Sequence, residues 1–582
     1  MLTLGIAGLA DVTKFLERRY PEQMTGESRI VQGMDAAAAL LLDGKILAAA
    51  SQERFDRIKK SPAFPFDAVR HCLSAAGAGL QDVQTTCFNF NFGRYRPIFA
   101  TSAEAREYWE QCLSPDALRN MLRTGFPHAE DLSVRHIDHH LAHFHAALAS
   151  SGFERCLGVV MDAAGEVTST SVYAYQDDTV TQLARYPVTR SLGIFYSLVT
   201  QFLGYAFNED EYKVMGLASF GDPRRYAGFF HSAVLLRPEG QVEIPCLALN
   251  HDFADGLFFR KSAEAIERGL GFDGANCSMQ QRADVSAALQ QRFTDALFHV
   301  CGYYRHQTGI PNLLLSGGCA ENCAAVGLLR EAGMFDRIHI AYASGDEGTA
   351  LGAAAAYTFA QGQPLRIPGE MPFFGPAPDA AAVRRVVERY PGLQLHKFAG
   401  PEPMLDAAAA DIAADRIVAL SNGGMEYGAR ALGNRSLLAL PSQSANKERI
   451  NLAIKKRQNY RPFAPAVTAE SAHRYFALST GEEYPYMTML TRVREEAIPQ
   501  LRAVTHVDGT ARVQTVNRQH NPDFHYLLTR LEALTGIPVV LNTSYNVNHQ
   551  PIVCSELEAV ETFVEMGIDA LYIANAKVTR RA

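Results

Sequence analysis

A chain of 582 residues with 47% hydrophobic composition is too long for one domain and predicts two or three, each able to bury a core. Its 55 basic against 62 acidic side chains, a net charge of -7, argue against nucleic acid as the main partner, because phosphate backbones call for a basic face. No run is apolar for the length of a bilayer span, the start MLTLGIAGLADVTKF lacks a signal-peptide pattern, and the ten cysteines include no Cys-x-x-Cys pair. The expectation is a cytoplasmic protein with reduced thiols, free of disulfides, zinc fingers and membrane contact.

In chain order, LTLGIA (2–7) reads as an apolar strand. AAAALLL (36–42) and KILAAA (45–50), joined by Asp43-Gly44, read as a hairpin. The same order returns at LGVVMD (157–162), TSVYAYQDD (170–178) and TVTQLARY (179–186). NLLLS (312–316), a helix near 320–332, RIHIA (337–341) and an Ala-rich helix near 348–360 continue the α/β alternation. Two such halves, about 1–156 and 157–361, suggest a duplicated actin-like (RNase H-like) α/β domain. Five prolines and three glycines at 362–378 mark a linker. A separate α/β domain follows at 379–582, with helices near 379–390, 404–414 and 446–456 and strands RIVAL (416–420) and PVVLNTS (538–544).

Five of the eighteen histidines fall in HIDHHLAHFH (136–145). On a helix over 139–150, His139 and His143 stand one turn apart, a metal-clamp spacing; His136 and His140 have the same spacing, and both pairs stay open. Two imidazoles rarely complete a site. Asp162 of MDAAGE and Asp346 of ASGDEG, each after a strand and before small residues, are the carboxylates expected to join them. Mixed His/carboxylate ligation suits Fe(II) or another first-row divalent ion. Gly317 and Gly318 of SGGCAEN would let backbone N–H groups approach a phosphate or polar ligand. In the distal domain Arg430, Arg435, Lys455, Arg457, Arg461 and Arg512 lie near Gly-rich or rigid loops, a phosphate-holding pattern. Asn542 and Ser544 of LNTSYN add neutral hydrogen-bonding groups at a strand end.

Taken together, DGKILAAASQERFDRIKK, HHLAH, MDAAGE, EYKVMGLASFG, SGGCAEN, SGDEGTALGAA, EYGARALGNRSLLA, YRPFAPAV, GTARVQTV and LNTSYNV span nearly the whole chain. The chain resembles the bacterial O-carbamoyltransferases that act on nodulation factors, antibiotics and toxins. That resemblance implies an actin-like threonylcarbamoyl-transfer-type N-terminal domain and a YrdC-like C-terminal domain that makes carbamoyl-adenylate. It implies ATP (with Mg²⁺) and carbamoyl phosphate as co-substrates, AMP and pyrophosphate as products, and a small-molecule hydroxyl acceptor. It implies His139, His143 and Asp346 as metal ligands with Asp162 beside them. The resemblance would place Arg430, Arg461, Arg512, Asn542 and Ser544 around the adenylate pocket, with Lys455 and Arg457 as second candidates, and Lys59 and Asn322 near the transfer site. Where the family carries His-Asp this chain has Met34-Asp35, so the acceptor proton is expected to go to Asp35, to His140 or to a metal-linked water. Glu321 stands where the family has an apolar residue, and the stretch 10–33 is longer than the family's. A tRNA threonylcarbamoyl-type transferase and a non-enzymatic actin-like nucleotide-binding scaffold are the competing readings; acidic charge disfavours the first and the arginine-rich second domain the other. Acceptor identity and oligomeric state, a homodimer included, stay open.

Overall fold

The computed structural model describes residues 1–24, 33–127 and 132–581, so a third of the long 10–33 stretch, residues 25–32, lies outside the described residues. The chain forms two compact units, one from Met1–Gln52 and Lys60–Pro368, the other from Glu53–Lys59 and Gly369–Ala582. The division after Pro368 falls inside the Pro/Gly-rich stretch. Residues 53–59, which no sequence signal sets apart, belong to the second unit. Among the described residues no helix is long and apolar enough to cross a membrane, and all ten cysteines are free thiols.

Strands of the large sheets are numbered here in chain order. The first unit begins with β1 (Leu2–Ala7), β2 (Ala37–Leu42), β3 (Lys45–Ser51), β4 (Thr85–Phe88) and β5 (Val134–His136). They form one sheet in the order β3-β2-β1-β4-β5. The two hairpin pairings are antiparallel, while β1 with β4 and β4 with β5 are parallel. A second set, β6 (Cys156–Met161), β7 (Thr168–Gln176), β8 (Thr179–Pro187), β9 (Asn312–Ser316) and β10 (Arg337–Ile340), runs β10-β9-β6-β7-β8 with the same pattern of directions. Each sheet therefore reads third-second-first-fourth-fifth, the duplication expected of an actin-like fold. All six residues of β1 and of β6 are buried, as central strands covered on both faces must be.

Helix α1 (His139–Ser151) follows β5, and α2 (Gly348–Ala360) follows β10. Each packs on the other half's sheet, α1 on β9 and β6, α2 on β1, β2 and β4, and the two helices lie against each other. The Ala/Gly composition of α2 permits this. A Cβ on Gly352 would stand 1.8 Å from the Ala142 carbonyl oxygen of α1, and one on Gly5 of β1 would stand 1.8 Å from the Ala350 oxygen of α2. Phe144 and Ala147 of α1 enter the core with Val160, Tyr173, Tyr175 and Leu314 of the second sheet.

The second unit is built on an eight-stranded mixed sheet. Its strands are β11 (Leu393–Lys397), β12 (Val418–Ser421), β13 (Arg435–Ala439), β14 (Ala464–Thr468), β15 (Gln514–Val516), β16 (Val539–Ser544), β17 (Ala570–Ile573) and β18 (Ala576–Arg580). Their order is β11-β18-β17-β12-β13-β16-β14-β15. Alternation along the strands feeds two cores. Ala419, Leu437, Val539 and Leu541 face one, while Val418, Leu420, Leu438 and Val540 face the other. The second core is closed by helices Pro401–Ala413 and Pro522–Thr535, through Met404, Leu405, Leu527 and Leu531.

Candidate functional site

In the first unit His139 and His143 project from the start of α1, Asp162 directly follows β6, and Asp346 lies in the loop before α2. The His139 Nε2 atom lies 3.2 Å from Asp162 Oδ2 and 3.4 Å from Asp346 Oδ1. For His143 Nε2 the corresponding distances are 3.6 and 3.3 Å, and the two Nε2 atoms are 3.1 Å apart. One ligand atom from each of the four residues lies within 4.8 Å of the others. Donors about 2.1 Å from a common ion stand roughly 3.0–3.4 Å apart in octahedral or tetrahedral coordination, so this spacing fits a first-row divalent ion. Burial alone would lower the His139 pKa, but Asp346 and Asp162 raise it to about 10. Burial would raise that of Asp162, yet hydrogen bonds from His139 and His143 hold it well below the usual carboxylate range. A buried and a part-buried carboxylate facing two imidazole nitrogens attract a cation, by protonation or by metal binding.

Backbone contacts fix these groups. The Gly318 N–H donates to Asp162 Oδ1 at 3.1 Å, and Ser316 Oγ donates to the His143 carbonyl at 3.0 Å. Gly317 has φ +87°, and a Cβ there would lie 2.2 Å from the Met161 oxygen, so only glycine lets this turn reach β6. Next to Asp346, burial and then the charges of Asp35 and Glu321 raise the Glu347 carboxyl. Lys60 donates to the Asn208 carbonyl at 2.9 Å. Burial would depress its ammonium, but Asp35, Glu211, Glu321 and Glu347 outweigh that and raise it.

In the second unit Lys455 is 3% exposed. It donates to Ser544 O at 2.7 Å and to Ser544 Oγ and Asn546 Oδ1 at 3.1 Å. Burial, then the charges of Arg457 and Arg461, push its ammonium well below the usual range. Asn451 joins the two arginine segments, accepting from Arg457 Nε at 2.7 Å and donating to the Arg461 carbonyl at 3.0 Å. The two guanidinium charges beside this lysine are suited to an anion. Asn542, on the same face of β16 as Ser544, donates to Gln514 Oε1 at 2.9 Å, and Gln514 donates to Leu432 O at 2.8 Å. That carbonyl belongs to a loop curled about Glu426, whose Oε1 accepts the N–H groups of Leu432, Asn434 and Arg435 at 2.8, 2.8 and 3.1 Å.

Two family descriptions match, the carbamoyltransferase N-terminus over residues 31–355 and the carbamoyltransferase C-terminus over residues 409–580. The chain belongs to the carbamoyltransferase family. This carbamoyltransferase is 35% identical to the nodulation protein NolNO of Sinorhizobium fredii, over 94% of this chain and 79% of that protein. It is 36% identical to the nodulation protein NolO of Bradyrhizobium diazoefficiens, over 76% of this chain and 79% of that one. The 3'-hydroxymethylcephem-O-carbamoyltransferase of Amycolatopsis lactamdurans is 32% identical, over 63% of this chain and 64% of its own length.

Of the residues singled out by sequence, His139, His143, Asp162 and Asp346 come together in this enzyme, whereas His136 lies in β5, outside the helix, with Nδ1 3.1 Å from the Phe90 carbonyl. His140 turns to Ser171, Nδ1 to Oγ 2.9 Å, and burial followed by the His139 charge holds its imidazole neutral. Asp35 stands among the groups acting on Lys60. Lys59 belongs to the second unit and its neighbour Lys60 to the first. Asn322 caps helix Cys323–Glu331 through the Ala325 N–H and exchanges two hydrogen bonds with Gln290. The Gly318 amide serves Asp162 in this structure, not a phosphate. Lys455, Arg457, Arg461 and Ser544 form one group, and Arg512 acts with Lys447 on His506, which burial and those charges lower to about 4. Arg430 is half-buried in the Glu426 loop. Arg435 is wholly internal, donating to the carbonyls of Pro376, Asn422, Gly423 and Asn434 at 2.8–3.3 Å. Sequence reasoning passed over Lys60, Glu166, Glu426 and Gln514. Each lies within a quoted motif, DGKILAAASQERFDRIKK, MDAAGE, EYGARALGNRSLLA or GTARVQTV, with no signal that marks it singly.

Proposed function

We propose that this carbamoyltransferase is an ATP-dependent O-carbamoyltransferase that forms carbamoyl-adenylate in the second unit and carbamoylates a small-molecule hydroxyl in the first. The observation that carries this reading is the pair of chemically distinct groups: the guanidinium charges of Arg457 and Arg461 beside Lys455, and a His₂Asp₂ cluster about Asp346. In the first stage water releases phosphate from carbamoyl phosphate, a carbamate oxygen bonds to the α-phosphorus of ATP, and pyrophosphate leaves. Arg457 and Arg461 hold the phosphate oxygens and offset their charge, while Lys455 fixes Ser544 and Asn546 beside them. In the second stage the acceptor oxygen attacks the carbamoyl carbon and AMP departs with the bridging oxygen. A divalent ion held by His139, His143, Asp162 and Asp346 would supply Lewis-acid polarisation there. The acceptor proton goes to Asp35 or to neutral His140, and Asp35→Asn with an unchanged transfer rate and pH profile removes Asp35 from that role.

The relative named for O-carbamoylation of a hydroxymethylcephem supports a hydroxyl acceptor of the antibiotic kind. With ATP, Mg²⁺ and carbamoyl phosphate the protein should release pyrophosphate; release of ADP alone would sink the adenylate reading. Arg457→Ala and Arg461→Ala should each lose about 1.5–3 kcal/mol of charged hydrogen bonding to the donor, a roughly 10- to 150-fold fall in pyrophosphate release at limiting substrate. Unchanged release would reassign both groups to structural roles.

A further inference from the structure

Beyond the four ligand residues, Glu166 stands against the start of α1. Its Oε1 accepts the His139 N–H at 3.1 Å and the Asn91 N–H at 2.7 Å. The residue is 8% exposed. Asp138, at the N-cap position of α1, makes no capping hydrogen bond there; its carboxylate takes Asn91 Nδ2 at 3.1 Å and Arg94 Nη1 at 3.1 and 3.3 Å. The free N–H at the helix start is therefore met from a different segment, the loop that leaves β6 after Asp162.

Glu166 lies four residues beyond Asp162, and the intervening Gly165 is tied to Thr168 by a 2.8 Å backbone hydrogen bond. A Cβ on Gly165 would come within 3.3 Å of His139 Cβ and His140 Cδ2, so this loop presses on the histidine helix. Asn91, the other donor to Glu166, follows Phe90, whose ring stacks on the His139 imidazole with centroids 4.3 Å apart and planes 3° from parallel. His139 Nδ1 is buried and has no hydrogen-bond partner among the described residues. The usual device for aiming a ligand histidine, a hydrogen bond from its second ring nitrogen, is thus missing here. Its orientation rests on the stacked Phe90 ring and on its own backbone, and a single carboxylate oxygen fixes both.

We infer that Glu166 is a positioning residue for the metal centre, locking His139, Phe90 and the Asp162 loop in one arrangement; this rests on the metal reading given above. An acceptor oxygen is what the geometry requires, so Glu166→Gln, which keeps one, should behave like the parent. Glu166→Ala and the shorter Glu166→Asp should not. Co(II) titration of the metal-free protein should show Gln within about threefold of the parent and Ala and Asp weakened about 10- to 100-fold, the range of lost outer hydrogen bonds to ligand residues. Phosphate binding by the second unit should be unchanged in all three. Hydrogen exchange without metal should show faster exchange at the His139 amide in Ala and Asp only. Parental Co(II) affinity in Glu166→Ala, or equal weakening in Glu166→Gln, overturns the inference. A parent that binds no Co(II) would bring down the metal reading and this proposal with it. A parent that binds, with the His139 amide equally protected in every variant, would overturn this proposal alone.

Discussion

Gly352→Ala tests whether the contact of α1 with α2 sets the metal centre. The added Cβ would lie 1.8 Å from the Ala142 oxygen and 2.6 Å from its carbonyl carbon, where real Cβ atoms essentially never come closer than 3.0 Å. Both atoms of α1 are backbone, so no side chain can swing aside and the helices must part by about 1.2 Å at that point. Ala142 sits between His139 and His143, while Asp346 precedes α2. The parting therefore opens the distance between the two imidazoles and one carboxylate. Metal–ligand distances tolerate about 0.2 Å, so a shift several times larger costs the site a ligand. Overpacking of this kind destabilises by about 1–3 kcal/mol, which leaves most of the protein folded. The assay is metal content and Co(II) affinity beside the melting temperature, with Gly228→Ala, a helical glycine with nothing within 4 Å, as control. Gly352→Ala should fold and lose most of its metal affinity, while the control keeps it. Parental affinity in Gly352→Ala would refute the argument that this crossing positions the ligands.

Replacing His143 or Asp346 with Ala should abolish carbamoyl transfer and metal binding while pyrophosphate release continues; loss of both activities would mean that the two sites are not separable. Arg435→Met removes a guanidinium that donates to four carbonyls, and a loss of at least about 3 kcal/mol would lower the melting of a unit this size by roughly 6–12 °C, measured by calorimetry. His339, 2.9 Å from Ser150 Oγ, is lowered to about 3 by burial and by Arg337. Its unfolded imidazole takes a proton near pH 6.5 while the folded one does not, so its share of stability is complete above pH 6.5 and is lost as pH falls toward 3. Urea melts of parent and His339→Gln between pH 7 and 4.5 should show a shallower acid loss in the variant, and parallel curves would refute the assignment.

The duplicated strands were legible because Asp43-Gly44 and the apolar runs are local signals, and both hairpins stand where those signals lie. The choice between histidine pairs was not. His136 and His140 share the spacing of His139 and His143, and only the helix start at His139 removes His136 from the contest. That start is met by Glu166, far away in sequence, so no local cap signal announces it. Lys59 and Lys60 are neighbours in sequence, yet Arg57 and Lys60 both adopt left-handed φ, +63° and +50°, where the chain turns. Adjacent lysines then belong to different units, which pattern reading has no means to foresee. Arg435 misled for a simpler reason. An arginine in a Gly-rich loop serves equally well as a phosphate ligand or as a brace among carbonyls, and burial decides which.

The duplication also explains why the candidate metal centre is so rich in carboxylates. Helices α1 and α2 are equivalent elements of the two halves, each following the fifth strand of its sheet. His139 opens one, and Asp346 stands two residues before the other. Two helix N-termini therefore face the four ligand atoms, and each carries about half a positive charge, which by itself repels a cation. A divalent ion there adds two more, making about three positive charges in a buried place. Asp162 and Asp346 supply two negative charges at the ion, and the Glu166 oxygen, receiving the first amide of α1, occupies an N–H that would otherwise turn its positive end to the site. Imidazoles at His139 and His143 then need carry none, which is the state in which histidine binds metal. On this account a fold that brings two helix starts together needs carboxylates at the ion and an acceptor oxygen at the helix, and Glu166 supplies the second.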